Sequence, residues 1–398
     1  MNRPLFEVGD IFRTHAASYI EAYSASAQQR RVMRAFEQCR TAALGGHVDK
    51  CDHCRHRRVS YNSCRNRHCT KCQAMARARW LDARQAELLP GHYFHVVFTV
   101  PDGIAALALQ NQQVVYDILF RTAGQTMTSI AADPRHLGAE IGYLAVLHTW
   151  GQNLLHHPHV HCVVPGGGLS PDGSRWVRTR KRFFLPVKVL SRRFRYLFLK
   201  SLQQAFDDGR LSFFGDLAHL DKPATFPSWI RAQRQHEWVV YSKRPFGSPE
   251  QVLKYLARYT HRVAISNQRI TNVTDHQVDF IWKDYRNGYT RRTMALHPHE
   301  FMRRMLMHVL PRRFVRIRYG GFMANRHRTE KFVRCRELLK VPKPAQTLAK
   351  SAEPVDWRER YEQLTGLPAD LCPECRQGRM ICVEVLLPIR PVPRMDSS

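Results

Sequence analysis

Apolar positions change period several times along the 398-residue chain, and each change marks an element. Near the N-terminus Ile11, Phe12, Ala16, Tyr19, Ile20 and Tyr23 recur at helical spacing and Arg30 to Phe36 continues it, predicting one or two helices with a packed face. A further helix is expected through Trp80 to Leu89. Strand patterns follow: Tyr93 to Val100 before Pro101, Gly142 to His148, and Val160 to Val164 before Pro165-Gly166-Gly167-Gly168. A helical stretch from about Ile104 to Ile130 separates the first two. Trp238 to Tyr241 reads as a fourth strand, and Gln277 to Trp282 with Tyr289 to Ala295 as a hairpin turning at Asn287-Gly288. Strands mixed with long helices, without strict βα alternation, predict an α+β fold with a largely antiparallel sheet.

Between Cys39 and Gln73 the pattern fails, because Cys, His, Arg and Gly replace the aliphatics. Such a segment cannot build its own core, and metal ligation is the usual substitute. Cys51-x2-Cys54 and Cys69-x2-Cys72 are fourteen residues apart, close to the spacing of two zinc knuckles, so these four thiolates are expected to hold one structural Zn2+. Cys64, His68, Cys39 and His47 compete for positions, and a second ion would use them. Cys372 and Cys375 supply half a site, to be completed by Cys335, Cys382 or His327. Three regions result: a helical and Cys-rich zinc-binding domain over 1–90, a domain of mixed strands and helices over 91–340, and a linker and tail over 341–398.

Charge then selects the partner. Lys plus Arg at 62 against Asp plus Glu at 33 leaves +29, which repels itself unless a polyanion neutralises it, so nucleic acid leads. Within the Cys-rich segment Arg55, Arg65 and Arg67, with Arg57, Arg58 and Lys71, are expected to face phosphates. No apolar run reaches the roughly 18 residues of a membrane span, and no membrane partner is expected. The start of the chain carries no apolar leader, so a cytoplasmic address is expected, with thiols serving as metal ligands rather than disulfides.

The sharpest chemistry lies in His157-Pro158-His159-Val160-His161. Strand alternation turns His159 and His161 to one face and Val160 to the other, so the two imidazoles can share a metal ion. If the upstream strand continues, His148, Trp150 and Gln152 share a face beside them; Gln152 is expected as third ligand, with His148 in reserve. Ser248-Pro249 with Gln251 has the form of a helix start. On that helix Tyr255 and Tyr259 project together at i and i+4, flanked by Lys254, Arg258 and Arg262, as an aromatic core stripe or as two nucleophiles.

The histidine motif followed by a helix-borne Tyr-x3-Tyr resembles the HUH endonuclease superfamily, specifically the two-tyrosine rolling-circle transposases of bacterial insertion sequences. The Cys-rich start, the Tyr93 to Pro101 strand, His148 to Gln152, His157 to Gly168, Tyr255 to Tyr259 and Arg318-Tyr319-Gly320-Gly321 occur in the order of that family, over roughly residues 10 to 340. The resemblance implies a central antiparallel sheet of HUH type flanked by helices, and an enzyme that cleaves and rejoins single-stranded DNA. Tyr255 or Tyr259 would form a 5′-phosphotyrosine link beside Mg2+ or Mn2+ held at His159, His161 and Gln152. A plasmid-type replication initiator would share this chemistry, a metallohydrolase would use the histidines without a tyrosine link, and a non-catalytic zinc-finger protein would leave both idle. The sequence has no G-x4-G-K-[ST] loop, so strand separation is assigned to a host helicase or the replication machinery.

Overall fold

The computed structural model describes residues 4–85, 88–180, 184–246, 251–252, 263–284, 287–288, 290–326, 328–341 and 357–389. Its strands in chain order are β1 (Gly46–Cys51), β2 (Arg57–Tyr61), β3 (Tyr93–Thr99), β4 (Gly142–Trp150), β5 (His156–Pro165), β6 (Gly167–Leu169), β7 (Trp176–Arg178), β8 (Val240–Phe246), β9 (Ile270–Val273), β10 (Val278–Asp284), β11 (Thr290–Leu296), β12 (Ile317–Gly321) and β13 (Met380–Leu386). All pairings among them are antiparallel, and helices lie between them, giving an α+β architecture. No described helix is long and apolar enough to cross a membrane. The chain divides into two compact units, Met1–Met75 with Pro344–Ser398, and Ala76–Lys343.

In the first unit the helix Ala27–Gln38 begins at a capping box. The Gln29 amide donates to Ser26 Oγ at 3.2 Å and the Ser26 amide to Gln29 Oε1 at 2.9 Å, satisfying two amides the helix start would otherwise strand. This helix packs on Val8–Ala22 through Phe12 and Phe36, edge to face at 4.9 Å. The sheet order is β13-β1-β2, and most of β2 and β13 is half-buried or exposed. Among the described residues one small buried cluster, Cys51, Cys372 and Met380 with Cys375 partly buried against it, lies at its end, so apolar burial contributes little there. Pairing runs from Gly46 opposite Leu386 to Cys51 opposite Met380. The segment read from sequence as a separate tail thus supplies an edge strand to the Cys-rich module.

In the second unit a five-stranded sheet has the order β12-β4-β5-β3-β8. Alternation sorts its side chains. Phe94, Val96 and Phe98 of β3, Ala145 and Leu147 of β4, and Val160, Cys162 and Val164 of β5 enter one large core with the helices Asp102–Gln110, Gln112–Ala132, Val187–Asp207 and Phe226–Gln235. The intervening residues turn to the opposite face. Tyr93, Leu144, Val146 and Val163 form a smaller apolar cluster there.

The turn joining β4 to β5 is held by its own carbonyls. Arg269 donates to the Gln152 oxygen at 2.6 Å, Arg304 to Asn153 at 3.0 Å, and His308 Nε2 lies 3.0 Å from that of Leu154, whose φ is +64°. His308 Nδ1 is 3.2 Å from Thr149 Oγ1, while His156 lies between Tyr116 Oη at 2.7 Å and the Ala105 carbonyl at 3.0 Å. Burial pushes His156 down to about 4 and His308 to about 3. Both are neutral in the native state where the unfolded chain still takes up protons. Their contribution is therefore complete above the ordinary histidine value near 6.5 and is lost as pH falls below it towards 4 and 3, by about 1.4 kcal/mol per pH unit for each group. Urea unfolding of the second unit between neutral pH and about pH 5 should show this slope. His308→Gln should lower stability at neutral pH and remove about half of the slope; an unchanged slope would assign the acid lability elsewhere.

Candidate metal and nucleic-acid sites

The β4–β5 register sets His148 opposite His159 and Val146 opposite His161, while β3 sets Val97 opposite His161 and Thr99 opposite His159. His95, His148, His159 and His161 therefore share the face that also carries Tyr93, Val146 and Val163. Ligand nitrogens of His148, His159 and His161 lie within 4.8 Å of one another. His159 Nδ1 is 2.7 Å from the His157 carbonyl oxygen, to which it donates. His161 Nδ1 is 2.8 Å from His95 Nε2. A ring whose Nδ1 donates carries its lone pair on Nε2, the arrangement that fixes tautomer and ring direction in metal-bound imidazoles. The three donors fit a divalent cation.

Two sequence expectations change here. Gln152 lies beyond the end of β4 at Trp150, so strand alternation no longer sets its direction. It sits instead in the clamped turn and lines a cavity of about 800 Å³ with His156, His157 and Trp282. His148, the reserve ligand, is the side chain that clusters with His159 and His161. His95 was missed altogether, although its position on the Tyr93 to Val100 strand placed it on the correct face; it is buried and its ring stacks on His161 at 5.0 Å.

Tyr255, Tyr259, Lys254, Arg258 and Arg262 lie outside the described residues. The last described residues before them are Gln251 and Val252, and Val252 is fully buried in the apolar cluster on the histidine-bearing face.

The cysteines are partitioned differently from the spacing reading. Cys51 and Cys54 gather with Cys372 and Cys375, and Cys69 and Cys72 with Cys39 and Cys64. β2 carries the chain away after Cys54, and β13, paired with β1, begins beside Cys51. Cys39 comes from the end of the helix Ala27–Gln38. A tetrahedron of sulfurs about 2.3 Å from zinc has edges of roughly 3.8 Å. The recorded pairs are Cys51–Cys375 at 3.8 Å, Cys54–Cys372 at 3.7 Å, Cys39–Cys72 and Cys39–Cys69 at 3.5 Å, and Cys64–Cys72 at 3.7 Å. Backbone amides of His53 and Cys54 donate to Cys51 Sγ, and that of Gly378 to Cys375 Sγ, each at 3.4 Å. A Cβ on Gly378 would come within 2.5 Å of Cys51 Sγ, so the knuckle closes only on glycine. The backbone amides of Gly378 and Gln377 hold the Cys375 thiol down to about 6, and thiols of Cys64 and Cys69 do the same for Cys39. Both sets fit Zn2+. Cys335 is buried in an apolar cluster of the second unit and Cys382 is exposed; His327 lies outside the described residues.

Of the basic residues expected at phosphates, Arg55 and Arg65 are exposed. Arg67 is half-buried, which lowers its pKa. Arg58 pairs with Asp49 at 3.3 Å and Lys71 with Glu7 at 2.5 Å, so those two charges are answered within the unit.

A family model described as a putative transposase matches residues 142–331. One described as a transposase zinc-binding domain matches residues 11–100. The chain is 56% identical over 391 residues to putative transposase y4qJ of Sinorhizobium fredii, covering 98% of this chain and 97% of that one. It is 28% identical over 313 residues to the transposase for insertion sequence element IS801 of Pseudomonas savastanoi pv. phaseolicola, covering 78% and 73%. No solved structure matches.

Proposed function

The chain belongs to the HUH-type rolling-circle transposases with an N-terminal zinc-binding domain, and from that premise we propose that it cuts and rejoins single-stranded DNA through Tyr255 and Tyr259 at the His148, His159 and His161 cluster. The observation that carries this reading is the clustering of His148, His159 and His161 on one sheet face, with Nδ1 of His159 and of His161 tied back and Val252, three residues before Tyr255, packed in the apolar cluster of that face.

In the cut, the Tyr Oη attacks the scissile phosphorus after giving up its proton; the bond to the 3′-oxygen breaks, and that oxygen leaves as a hydroxyl once protonated. The 5′ end stays on the tyrosine as a phosphodiester, so its bond energy is kept for rejoining. Mg2+ or Mn2+, when bound, withdraws charge from the phosphate in the transition state. His148, His159 and His161 would hold it, and His157 and His95 would fix the rings. A tyrosine hydroxyl has an ordinary pKa near 10, and the neighbouring cations Lys254, Arg258 and Arg262 would favour the phenolate. Two tyrosines allow a second cut before the first strand is released, which mobilising an element requires. A host helicase or passing replication would supply single strands, placing the protein at the bacterial nucleoid in the cytoplasm. Incubation with labelled single-stranded DNA and Mn2+, followed by a denaturing gel, should reveal a protein-linked band; cutting without linkage would favour a metallohydrolase, and neither a non-catalytic binder.

The two cysteine sets are read as two structural Zn2+ sites, which replace the missing core of the first unit. Metal analysis should find two zinc ions per chain. Cys372→Ser with Cys375→Ser should remove one equivalent and release β13 from β1, while Cys69→Ser with Cys72→Ser should remove the other. Loss of zinc confined to a shared Cys51, Cys54, Cys69 and Cys72 site would restore the spacing reading.

A further inference from the structure

Cys39, Cys54, Cys64 and Cys375 are each followed by an arginine, and all four arginines occupy the left-handed region, Arg40 at φ 58°, Arg55 at 62°, Arg65 at 52° and Arg376 at 54°. Two belong to each cysteine cluster. A left-handed residue there lets the backbone fold back towards the sulfur, and glycine does this without steric opposition. Arginine does not, and all four side chains are exposed, so no packing offsets the strain. Their charges are also unanswered. Among the described residues none of the four pairs with a carboxylate, whereas in the same unit Arg57 pairs with Glu384, Arg58 with Asp49, Lys71 with Glu7 and Arg379 with Asp370.

An exposed, unneutralised guanidinium whose Cα–Cβ direction is fixed by the knuckle keeps its charge beside that knuckle and within reach of an anion. We infer that Arg40, Arg55, Arg65 and Arg376 are phosphate contacts of the first unit, a pair of unneutralised cations beside each cysteine cluster that grips the DNA backbone without reading sequence. This rests on the reading that the chain acts on DNA. It extends the arginines expected from spacing by Arg40 and Arg376, and it makes the C-terminal segment part of the DNA grip.

The test uses the full zinc-loaded chain with all four arginines changed to Gly, to Ala or to Lys. Binding to a labelled single-stranded oligonucleotide of mixed sequence is followed over a salt series without added Mg2+ or Mn2+. The Gly and Ala variants should lose more than about tenfold in affinity, and the slope of log affinity against log salt should become shallower by about three, the counterions of four phosphates on a single strand. Lys should keep most of both. All variants should retain parental zinc, and the Gly variant should melt above the Ala variant because only it relieves the left-handed strain. Parental affinity and slope in the Gly and Ala variants, or a Lys variant as weak as Ala, would overturn the inference. Adduct formation in Mn2+ is read separately: its absence in the parent, with the salt slope still lost in the variants, would sink the cleavage reading and leave this one standing.

Discussion

Phe at both Tyr255 and Tyr259 is expected to eliminate the covalent protein–DNA adduct while leaving single-strand affinity within about twofold. The substitution removes one oxygen per ring and keeps the aromatic volume, so an aromatic core stripe would barely register it. A nucleophile would register it completely, because no neighbouring atom can replace the attacking oxygen. Each single variant should still form some adduct on a short oligonucleotide and fail at complete transposition, which takes two cuts. On the helix expected from the sequence an i, i+4 pair would lie one turn apart, so the two hydroxyls would not be equally placed towards one ion at the same moment. Adduct formation by the double variant at the parental rate would move the nucleophile elsewhere, with Tyr285 and Tyr289 next to be tested.

The second large effect concerns the histidines. His159→Ala with His161→Ala removes two of three donors on the sheet face and should reduce cleavage by at least about a thousandfold, since a Lewis acid at the phosphate contributes several kcal/mol to the transition state. DNA binding should stay near parental, because most of the +29 charge lies elsewhere. His148→Ala should behave like the double variant, whereas Gln152→Ala should leave Mn2+ affinity unchanged; the reverse order would reinstate Gln152 as ligand. His95 acts through His161. When Nε2 of His161 faces the metal, its Nδ1 carries the proton and donates to His95 Nε2 across 2.8 Å. His95→Leu should weaken Mn2+ binding by about 10- to 100-fold, with excess Mn2+ recovering much of the rate, and His95→Gln, which keeps an acceptor, should restore part of the affinity. Loss of rate with unchanged metal affinity would give His95 a different part.

Local periodicity and residue type were sufficient for part of the elements, while the helix Val187–Asp207 and the strands β1, β2 and β13 were not read from them. The helices near Ile11 and Phe36, the strands at Tyr93, Gly142 and Val160, and the hairpin at Asn287-Gly288 are legible because each depends on residues a few positions apart. The same alternation put His159 and His161 on one face, and composition alone made nucleic acid the partner. Three features depended on distant parts of the chain. Gln152, preferred by the alternating pattern, and His148 in reserve both fit that pattern, which does not report that β4 ends at Trp150, before a turn gripped by Arg269, Arg304 and His308. His95 becomes a partner of His161 only because β3 and β5 are neighbours in the sheet order. The cysteine partition follows from β13 lying against β1 across more than three hundred residues, bringing Cys372 and Cys375 to Cys51 and Cys54. Sequence spacing reports which ligands can share one knuckle, since that is local backbone geometry. Which two knuckles share one ion depends on strand pairing, and strand pairing is settled by burial and hydrogen bonding over the whole folded unit, so no local pattern carries it.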